Sequence, residues 1–310
     1  MHTWLSSRRR WLLLLIGLAL ACNRGTDAGS KPTVALVLKT LNNQFFIDME
    51  AGAQAAADSL GIELIVQAPE REIDVEKQMQ IVENLLQRQV KVLLLVPSGS
   101  KEIVPAVIKA NAASIPVVTV DARIDTAALR LAGGHVATYI GSDNEDGGRL
   151  AGVLVAERLG GTGSVAVLEG IPGHENGDAR LRGFRRALAQ FPGVTIVASQ
   201  TANWERDQAF NVAQNILQAH PDITALFACN DVMALGALEA IAAAGKASRI
   251  MVVGFDAQDD ARKAISEKRM AATIAQNPRE MGRLAVIAAA RLLKGEVVPQ
   301  EQPVAISLVK

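Results

Sequence analysis

The fold of this 310-residue chain is decided by residues 33–46, which read TVALVLKTLNNQFF. The first six of these residues are apolar or β-branched, as in a strand buried on both faces of a parallel sheet. From Phe45 onward the apolar residues recur at helical spacing, through Met49, Gly52 and Ala56. A buried strand followed by an amphipathic helix is the first half of a βαβ unit, so this stretch predicts an α/β fold.

The same alternation continues along the rest of the chain. Strand-like runs are predicted at 62–66, 90–96, 116–120, 164–168, 194–198, 224–228, 250–254, 271–275 and 304–308. The pattern restarts after Gly141, where Ser142 and Glu145 have the spacing of a capping box. We therefore expect two similar α/β lobes with parallel sheets and more than one crossing between them. The order of the strands does not follow from this pattern.

The first 32 residues have the composition of an export signal and a tether. Three arginines precede an apolar run at 11–21 that is too short to span a bilayer and ends in small residues before Cys22. This segment resembles a bacterial lipoprotein signal, so we expect a signal peptide at 1–21, lipid on Cys22 and a flexible tether at 22–32. The alternative is an ordinary signal peptide with an incidental cysteine. The arginines also leave the general and the twin-arginine export routes open.

The composition excludes several classes of protein. With 32 basic and 32 acidic residues, the chain has no net charge and no electrostatic footprint for nucleic acid. Cys229 is the only cysteine after Cys22, so no disulfide is expected in the folded body. The four histidines lack metal-ligand spacing, so we expect neither a metal site nor a cofactor. The length of the folded body favours two domains, and we expect a monomer.

Polar side chains follow the predicted strands in both halves of the chain, where open parallel sheets bind their ligands. These residues are Asn43, Asp121, Glu169, Asn230, Asp231, Asp256 and Gln276. Any one of them could instead be an ordinary helix N-cap. We expect Asp231 to be a cap rather than a ligand contact, and Glu169 stays open. Capping alone does not account for the repetition across both halves, which predicts a polar cleft between the lobes.

The residues near these strand ends suit a neutral, polyhydroxylated ligand. Carboxylates and amides bond hydroxyl groups, and aromatic rings cover the C–H face of a sugar. Aromatic residues make up only 4% of the chain, so Phe45, Phe46 and Trp204 stand out. A core position is favoured for one of the two phenylalanines. Trp204 lies in a polar stretch, which favours contact with a ligand.

Five motifs resemble those of the type I periplasmic binding proteins, the family of the ribose binders and their sugar-binding relatives of ABC importers. They are TLNNQFF at 40–46, IGSDN at 140–144, NDVMALGA at 230–237, VVGFD at 252–256 and AATIAQ at 271–276. The resemblance implies two Rossmann-like lobes joined by a three-segment hinge, with the sugar between them. The implied lobes are 33–141 with 277–303, and 142–276 with 304–310.

The resemblance also implies a set of sugar contacts. Matched motif by motif, they are Asn43, Phe45 or Phe46, Asp121, Arg180, Trp204, Asn230, Asp256 and Gln276. Arg180 is assigned from the pattern R-x-x-G-aromatic. Val96 stands where ribose binders carry asparagine, and Asp178 stands where they use a second arginine. Arg123 is either a compensating contact or a solvated loop residue.

The function implied is that of a lipid-anchored solute-binding protein at the periplasmic or envelope face of a bacterial membrane. It would capture a monosaccharide or related polyol and deliver it to an ABC permease by hinge closure. A ligand-loaded partner of a chemoreceptor or sensor kinase is one alternative. A carbohydrate-processing enzyme is another, with Asp121 and Asp256 as a carboxylate pair. The binding fold accounts for both carboxylates, so the sequence favours a protein that is not an enzyme and leaves the sugar undefined.

Overall fold

The computed structural model describes residues 31–310. The predicted signal peptide, the predicted lipidation site Cys22 and most of the predicted tether lie outside these residues. Within 31–310, none of the helices combines the length and the apolar character needed to cross a membrane. The described residues contain two six-stranded sheets, each at the centre of one α/β lobe.

The helices and strands alternate along almost the whole described chain. The elements up to residue 141 are β1 (Thr33–Val37), α1 (Gln44–Leu60), β2 (Glu63–Gln67), α2 (Val75–Gln87), β3 (Val92–Leu95), α3 (Val104–Ala112), β4 (Val117–Val120), α4 (Thr126–Leu131) and β5 (Thr138–Gly141). The elements after it are α5 (Asn144–Arg158), β6 (Thr162–Glu169), α6 (Glu175–Leu188), β7 (Gly193–Thr201), α7 (Arg206–Ala219), β8 (Ala225–Ala228), α8 (Asp231–Ala243), β9 (Met251–Asp256), α9 (Asp259–Ser266), β10 (Ala272–Ala275), α10 (Pro278–Leu293), β11 (Glu301–Pro303) and β12 (Ser307–Val309).

The strand order shows how the chain passes between the lobes. The first sheet has the order β11-β5-β4-β3-β1-β2, and the second has the order β12-β10-β9-β8-β6-β7. The chain therefore crosses between β5 and β6, between β10 and β11, and between β11 and β12. Apart from the antiparallel pair of β10 and β12, the paired strands are parallel. The exact residue bounds of the two lobes stay a prediction.

The central strands are apolar throughout because helices cover both of their faces. Successive side chains of a strand point to opposite faces. In β1, Leu36 packs in a core with residues of α1 and α10, whereas Val37 packs in a separate core with residues of α2 and α3. β3, β4, β8 and β10 are likewise buried along their whole length. The continuous apolar runs seen in the sequence are thus the interiors of two parallel sheets.

The structure differs from the sequence prediction at short elements. The predicted strand at 304–308 is instead two strands of three residues each, β11 and β12, which belong to different sheets. The predicted capping box also does not form, because α5 is capped by Asp143, whose carboxylate accepts a hydrogen bond from the Asp146 N–H at 2.9 Å. α4 and β5 were not predicted, since six and four residues are too few to show a period.

Glycines allow three pairs of helices to approach closely, namely α1 with α10, α5 with α6, and α7 with α8. A Cβ atom at Gly52 in α1 would collide with the Arg279 carbonyl of α10, and one at Gly282 with the Met49 carbonyl. In the second lobe, a Cβ atom at Gly148 of α5 would collide with the backbone carbonyl of Arg180 in α6. In each case the added Cβ atom would meet a backbone carbonyl of the partner helix, which cannot shift without moving the helix itself.

We expect Gly52→Ala to lower the free energy of unfolding by about 1–3 kcal/mol, the usual cost of overpacking. Helix propensity alone predicts the opposite change, because alanine stabilises a helix by about 1 kcal/mol relative to glycine. A loss of stability therefore points to the close packing. Urea unfolding of the two proteins measures the difference. Gln54→Ala, at an exposed position of the same helix, is the control and should change stability by less than about 0.5 kcal/mol. A Gly52→Ala protein as stable as the parent would contradict the close-packing argument.

Candidate functional site

A cavity lies between the lobes at the carboxyl ends of their strands. Its free volume is only about 30 Å³, well below the usual range for ligand pockets, so the side chains that line it are closely packed. The first lobe lines it with Lys39, Asn43, Phe45, Phe46, Glu72 and Asp121. The second lobe lines it with Asn176, Arg180, Trp204, Asn230, Asp256 and Gln276. The structure therefore brings together every side chain that the sequence predicted as a sugar contact.

Two phenylalanines form one apolar wall of the cavity. Phe45 and Phe46 begin α1, and their rings meet edge to face with centroids 5.3 Å apart. A core position was favoured for one of them, but both are buried in the core of the first lobe and both line the cavity. The Asn43 cap, which accepts a hydrogen bond from the Phe45 N–H at 3.0 Å, fixes the start of the helix that carries them.

Trp204 forms an apolar wall on the opposite side. Its backbone is left-handed, with φ of 66°, and its indole packs against Gly170 and Gly177. A Cβ atom at Gly170 would overlap the ring, so only glycine leaves room for the indole there. The Arg180 guanidinium lies 5.8 Å from the centre of the ring. Trp204 thus belongs both to the core of its lobe and to the cavity wall.

Asp121 presents a carboxylate from the end of β4. Its Oδ2 accepts a hydrogen bond from Asn176 Nδ2 at 3.1 Å, and Lys39 Nζ lies 3.6 Å from the same oxygen. Its Oδ1 is buried and has no hydrogen-bond partner among the described residues. Backbone strain accompanies this position, because Asp121 has a φ of 62°. One oxygen is therefore held in place, and the other is available to a ligand.

Asp256 presents a second carboxylate from the end of β9. Gln276 Nε2 donates a hydrogen bond to its Oδ1 at 2.8 Å, and Arg180 Nη2 lies 3.7 Å from that oxygen. Burial raises the pKa of Asp256 to about 7, although the charge of Arg180 opposes the shift. The Oε1 of Gln276 is buried without a hydrogen-bond partner in the described part of the chain. The second lobe thus also offers an unused acceptor.

Arg180 is held rigidly behind these groups. Its Nε donates to Asn144 Oδ1 at 2.8 Å, and its Nη1 donates to the Cys229 carbonyl at 2.6 Å. The guanidinium also stacks on Phe255, 3.8 Å from the centre of that ring. The Cys229 thiol is itself buried, and this burial raises its pKa. These contacts leave the charged fork with one orientation, toward Asp256 and the cavity.

Helix capping explains only some of the polar strand ends. Asn43 and Asn230 are N-caps that also line the cavity. Asp121, Asp256 and Gln276 are not caps, because the helices that follow them are capped or preceded by Asp125, Gln258 and Asn277. For these three residues the capping alternative is wrong.

Two other acidic residues at strand ends, Asp231 and Glu169, do not line the cavity. Asp231 is fully buried and is not the cap of α8; its carboxylate accepts hydrogen bonds from Thr273 Oγ1 at 2.7 Å and from the Gln258 N–H at 2.9 Å. Burial, together with the charge of Asp256, raises its pKa well above the ordinary value. Glu169 does not line the cavity and accepts a hydrogen bond from Ser199 instead.

Sequence reasoning missed Lys39, Glu72 and Asn176. Lys39 follows β1 closely, and Asn176 lies four residues before Arg180 and therefore on the same helix face, so both carried a usable signal. Glu72 carried none, because it lies in a loop. Its carboxylate accepts a hydrogen bond from Asn43 Nδ2 at 3.3 Å, and burial raises its pKa.

The residues at which the chain departs from the ribose-binding pattern do not line the cavity. Val96 is a buried core residue, and Asp178 does not line the cavity. Arg123 stacks on Tyr139 at 3.8 Å and pairs with Glu301 at 2.7 Å, beside the segments that join the lobes. Arg123 is thus neither a compensating contact nor simply solvated. Within residues 31–310, no cluster of three or more histidine, cysteine or acidic side chains is arranged to hold a metal ion.

Hydrogen bonds across the cavity hold the lobes in a closed arrangement. Gln258 Nε2 donates to Asn43 Oδ1 at 2.8 Å, and the backbone N–H of Glu175 donates to Ser100 Oγ at 3.2 Å. The bond between Asn176 and Asp121 also joins the two lobes. A molecule in the cavity would therefore be enclosed from both sides, which is the geometry of a two-lobed solute-binding protein.

Comparison with known proteins agrees with this class. A family model described as a periplasmic binding protein domain matches residues 34–297, and the chain belongs to this family. It is a sugar-binding protein of ABC transporters that resembles the ribose-binding proteins. The family indicates a periplasmic location.

Several relatives are similar over most of their length. The ribose import binding protein of Salmonella typhimurium is 42% identical over 296 residues, which cover 96% of each chain. The D-allose-binding periplasmic protein of Escherichia coli is 37% identical, covering 86% of this chain and 85% of the relative. A periplasmic solute-binding protein of an ABC transporter from Actinobacillus succinogenes, solved with bound D-allose, is 40% identical with a TM-score of 0.86, covering 90% of this chain and 98% of that one.

The raised pKa of Asp256 predicts how stability depends on pH. Between its ordinary value of 3.8 and about 7, the native state holds this proton more tightly than the unfolded state does. Stability should therefore fall as pH rises through that window, and Asp256→Asn should reduce the fall. Urea unfolding without sugar at pH 5, 6, 7 and 8 measures it. Asp260→Asn, at an exposed position of α9, should keep the parent profile. A parent and an Asp256→Asn variant with parallel profiles would disprove the assignment.

Proposed function

We propose that this protein binds one neutral monosaccharide or related polyol between its lobes and delivers it to an ABC permease. The observation that carries the proposal is a pair of buried acceptors, Asp121 Oδ1 and Gln276 Oε1, that have no partner within residues 31–310. They come from opposite lobes and belong to residues that line the same cavity. Buried acceptors are normally satisfied, so hydroxyl donors of a bound ligand are the partners that these two oxygens lack.

The charges in the cavity favour a neutral ligand. Two cationic side chains, Lys39 and Arg180, face three carboxyl groups, those of Glu72, Asp121 and Asp256. Burial raises the pKa of Glu72 and Asp256, which lowers the negative charge of the set toward that of the cations. A charged ligand would leave a buried charge without compensation, whereas a polyol adds only hydroxyl donors and acceptors.

The relatives indicate which sugars to test first. Their names include ribose and D-allose, and the solved relative with bound D-allose is among the more similar structures. We propose D-ribose and D-allose as the leading candidates. A structure of the same fold, 27% identical and with bound myo-inositol, supports keeping cyclic polyols in the screen.

The carboxylates are better suited to binding than to catalysis. Asp121 and Asp256 are each hydrogen-bonded to an amide group, of Asn176 and Gln276 respectively. A glycosidase needs one carboxyl group to protonate the leaving oxygen and the other to attack or to activate water. Both groups here are arranged as fixed acceptors, so we favour a binding protein over an enzyme. Partnership of the loaded form with a chemoreceptor or sensor kinase is compatible with this function.

Lipid on Cys22 is part of the proposal and rests on the sequence. The anchor would keep a monomeric binding protein at the membrane that holds its permease. The lobes would be 33–141 with 277–303, and 142–276 with 304–310, joined by three segments. The tether at 22–32 would let the folded body reach the permease.

We expect Asp121→Asn to weaken the binding of D-ribose and D-allose by tenfold or more. The substitution keeps the size of the side chain but replaces a charged acceptor with a weaker one and adds donors. Titration calorimetry measures the affinity, and ligand-free melting checks that the variant is folded. Asp125→Asn is a matched control in the same loop, since Asp125 caps α4 and asparagine caps as well. Parent-like affinity in the Asp121 variant would remove this residue from the site.

The anchor has its own test. Cys22→Ser should release the protein from membranes of the producing cell or block its processing, because serine cannot receive the thioether-linked lipid. Membrane fractionation with immunoblotting detects the change. Cys229→Ser is the control, because this buried cysteine lies inside the second lobe and should leave fractionation unchanged. Identical fractionation of the parent and the Cys22 variant would contradict lipid anchoring.

A further inference from the structure

The loop between β6 and α6 ends in a histidine whose position calls for an explanation. Residues 170–175 read GIPGHE, and His174 occupies the N-cap of α6. Asparagine, aspartate, serine and threonine are the usual caps, because their short side chains bond the helix N–H groups. The His174 side chain makes no such bond, and the residue is only 7% exposed. The imidazole is therefore buried for contacts other than capping.

Those contacts reach both the cavity wall and the opposite lobe. Trp204 Nε1–H donates a hydrogen bond to His174 Nδ1 at 3.4 Å, which fixes the polar edge of the indole. The rest of the indole is confined by Gly170 and Gly177. The backbone of Ser98, in the first lobe, lies close to the ring. One imidazole thus links the Trp204 ring to the surface that the other lobe presents on closure.

The neighbouring residues show that this contact depends on closure. The next two residues, Glu175 and Asn176, bond Ser100 and Asp121 of the first lobe. The beginning of α6 is therefore one continuous segment that lies against the first lobe. Opening of the lobes would break all of these bonds together and expose the imidazole to water.

The imidazole must be neutral in the closed arrangement. Burial lowers the pKa of His174 from 6.5 to about 3, and the positive charge of Lys39 adds to the effect. The charged groups on the surrounding elements are Lys39, Glu72, Asp121, Glu175, Arg180 and Glu205. Of these, Lys39 is the one that acts on the ring. A protonated imidazole has two donors and no acceptor, so it could not accept the Trp204 hydrogen bond.

We propose that His174 is a positioning residue that orients Trp204 and couples sugar affinity to pH, because the lobes close fully only over a neutral imidazole. This inference rests on the proposed function, namely that the cavity binds a sugar. Protonation of the exposed ring in the open form would oppose closure. Sugar would then be held near neutral pH and released in an acidic medium.

The experiment measures the affinity for D-ribose and D-allose at pH 7.5 and pH 5.0. With a pKa of about 6.5 in the open form and about 3 in the closed form, the parent should lose about thirtyfold in affinity over this interval through His174. His174→Asn keeps an acceptor near the position of Nδ1 but cannot titrate, so it should bind each sugar within about threefold of the parent at pH 7.5. Its drop in affinity between pH 7.5 and pH 5.0 should be about thirtyfold smaller than that of the parent. Asp256 and Glu72 titrate in both proteins, so the difference between the two profiles isolates the histidine.

Two further variants separate positioning from general stability. His174→Ala should weaken binding at pH 7.5, and the effect should be smaller in a Trp204→Phe background, where the indole N–H has gone. His135→Asn changes an exposed histidine and should keep the parent profile. Melting without sugar checks that each variant is folded.

The parent alone provides an independent measurement. In nuclear magnetic resonance, the His174 ring should titrate near pH 6.5 without sugar and should not titrate above pH 5 when the protein is saturated. A saturated ring that still titrates near 6.5, or identical pH profiles of the parent and His174→Asn, would overturn the inference while the proposed function stands. A parent that binds neither sugar at pH 7.5 would overturn the proposed function and this inference with it.

Discussion

The geometry of the cavity depends on one buried positive charge, the guanidinium of Arg180. A buried cation is costly unless its donors are bonded and its charge is compensated. Asn144, the Cys229 carbonyl and Asp256 meet these needs from the start of α5, the end of β8 and the end of β9. The close contact of Gly148 with the Arg180 backbone fixes the helix that carries the side chain. Four elements of the second lobe are thus held in register around a group that also lines the cavity.

Backbone strain at the cavity points to the same organisation. Asp121, Trp204 and Asp256 all have positive φ, at 62°, 66° and 112°, although none is glycine. Such conformations persist only where the surrounding structure holds them, and here three of them fall on residues that line one cavity. The side chains are therefore oriented before a ligand arrives, so that less ordering is needed on binding.

Much of this architecture could be predicted from the sequence, for a physical reason. Strands such as β1 and β8 are buried on both faces, so their apolar runs are long enough to recognise, and the polar residue after each run marks the edge where ligands bind. β11 and β12 could not be separated, because three residues show no period and their assignment depends on which sheet each one meets. The place of Glu72 in the cavity could not be predicted for a similar reason. Its burial depends on a loop that packs beside Asn43 and Lys39, which are distant in the sequence.

The placement of β11 and β12 has a consequence for how the protein matures. Each sheet takes its last strand from the final ten residues, β11 beside β5 and β12 beside β10. Neither sheet is built from one continuous stretch of chain, and neither is complete until its last strand, β11 or β12, has been made. A polypeptide emerging from a ribosome or a translocation channel therefore cannot finish one lobe and then begin the other. The last strand of each sheet can pair only after all ten earlier strands of both lobes have been made.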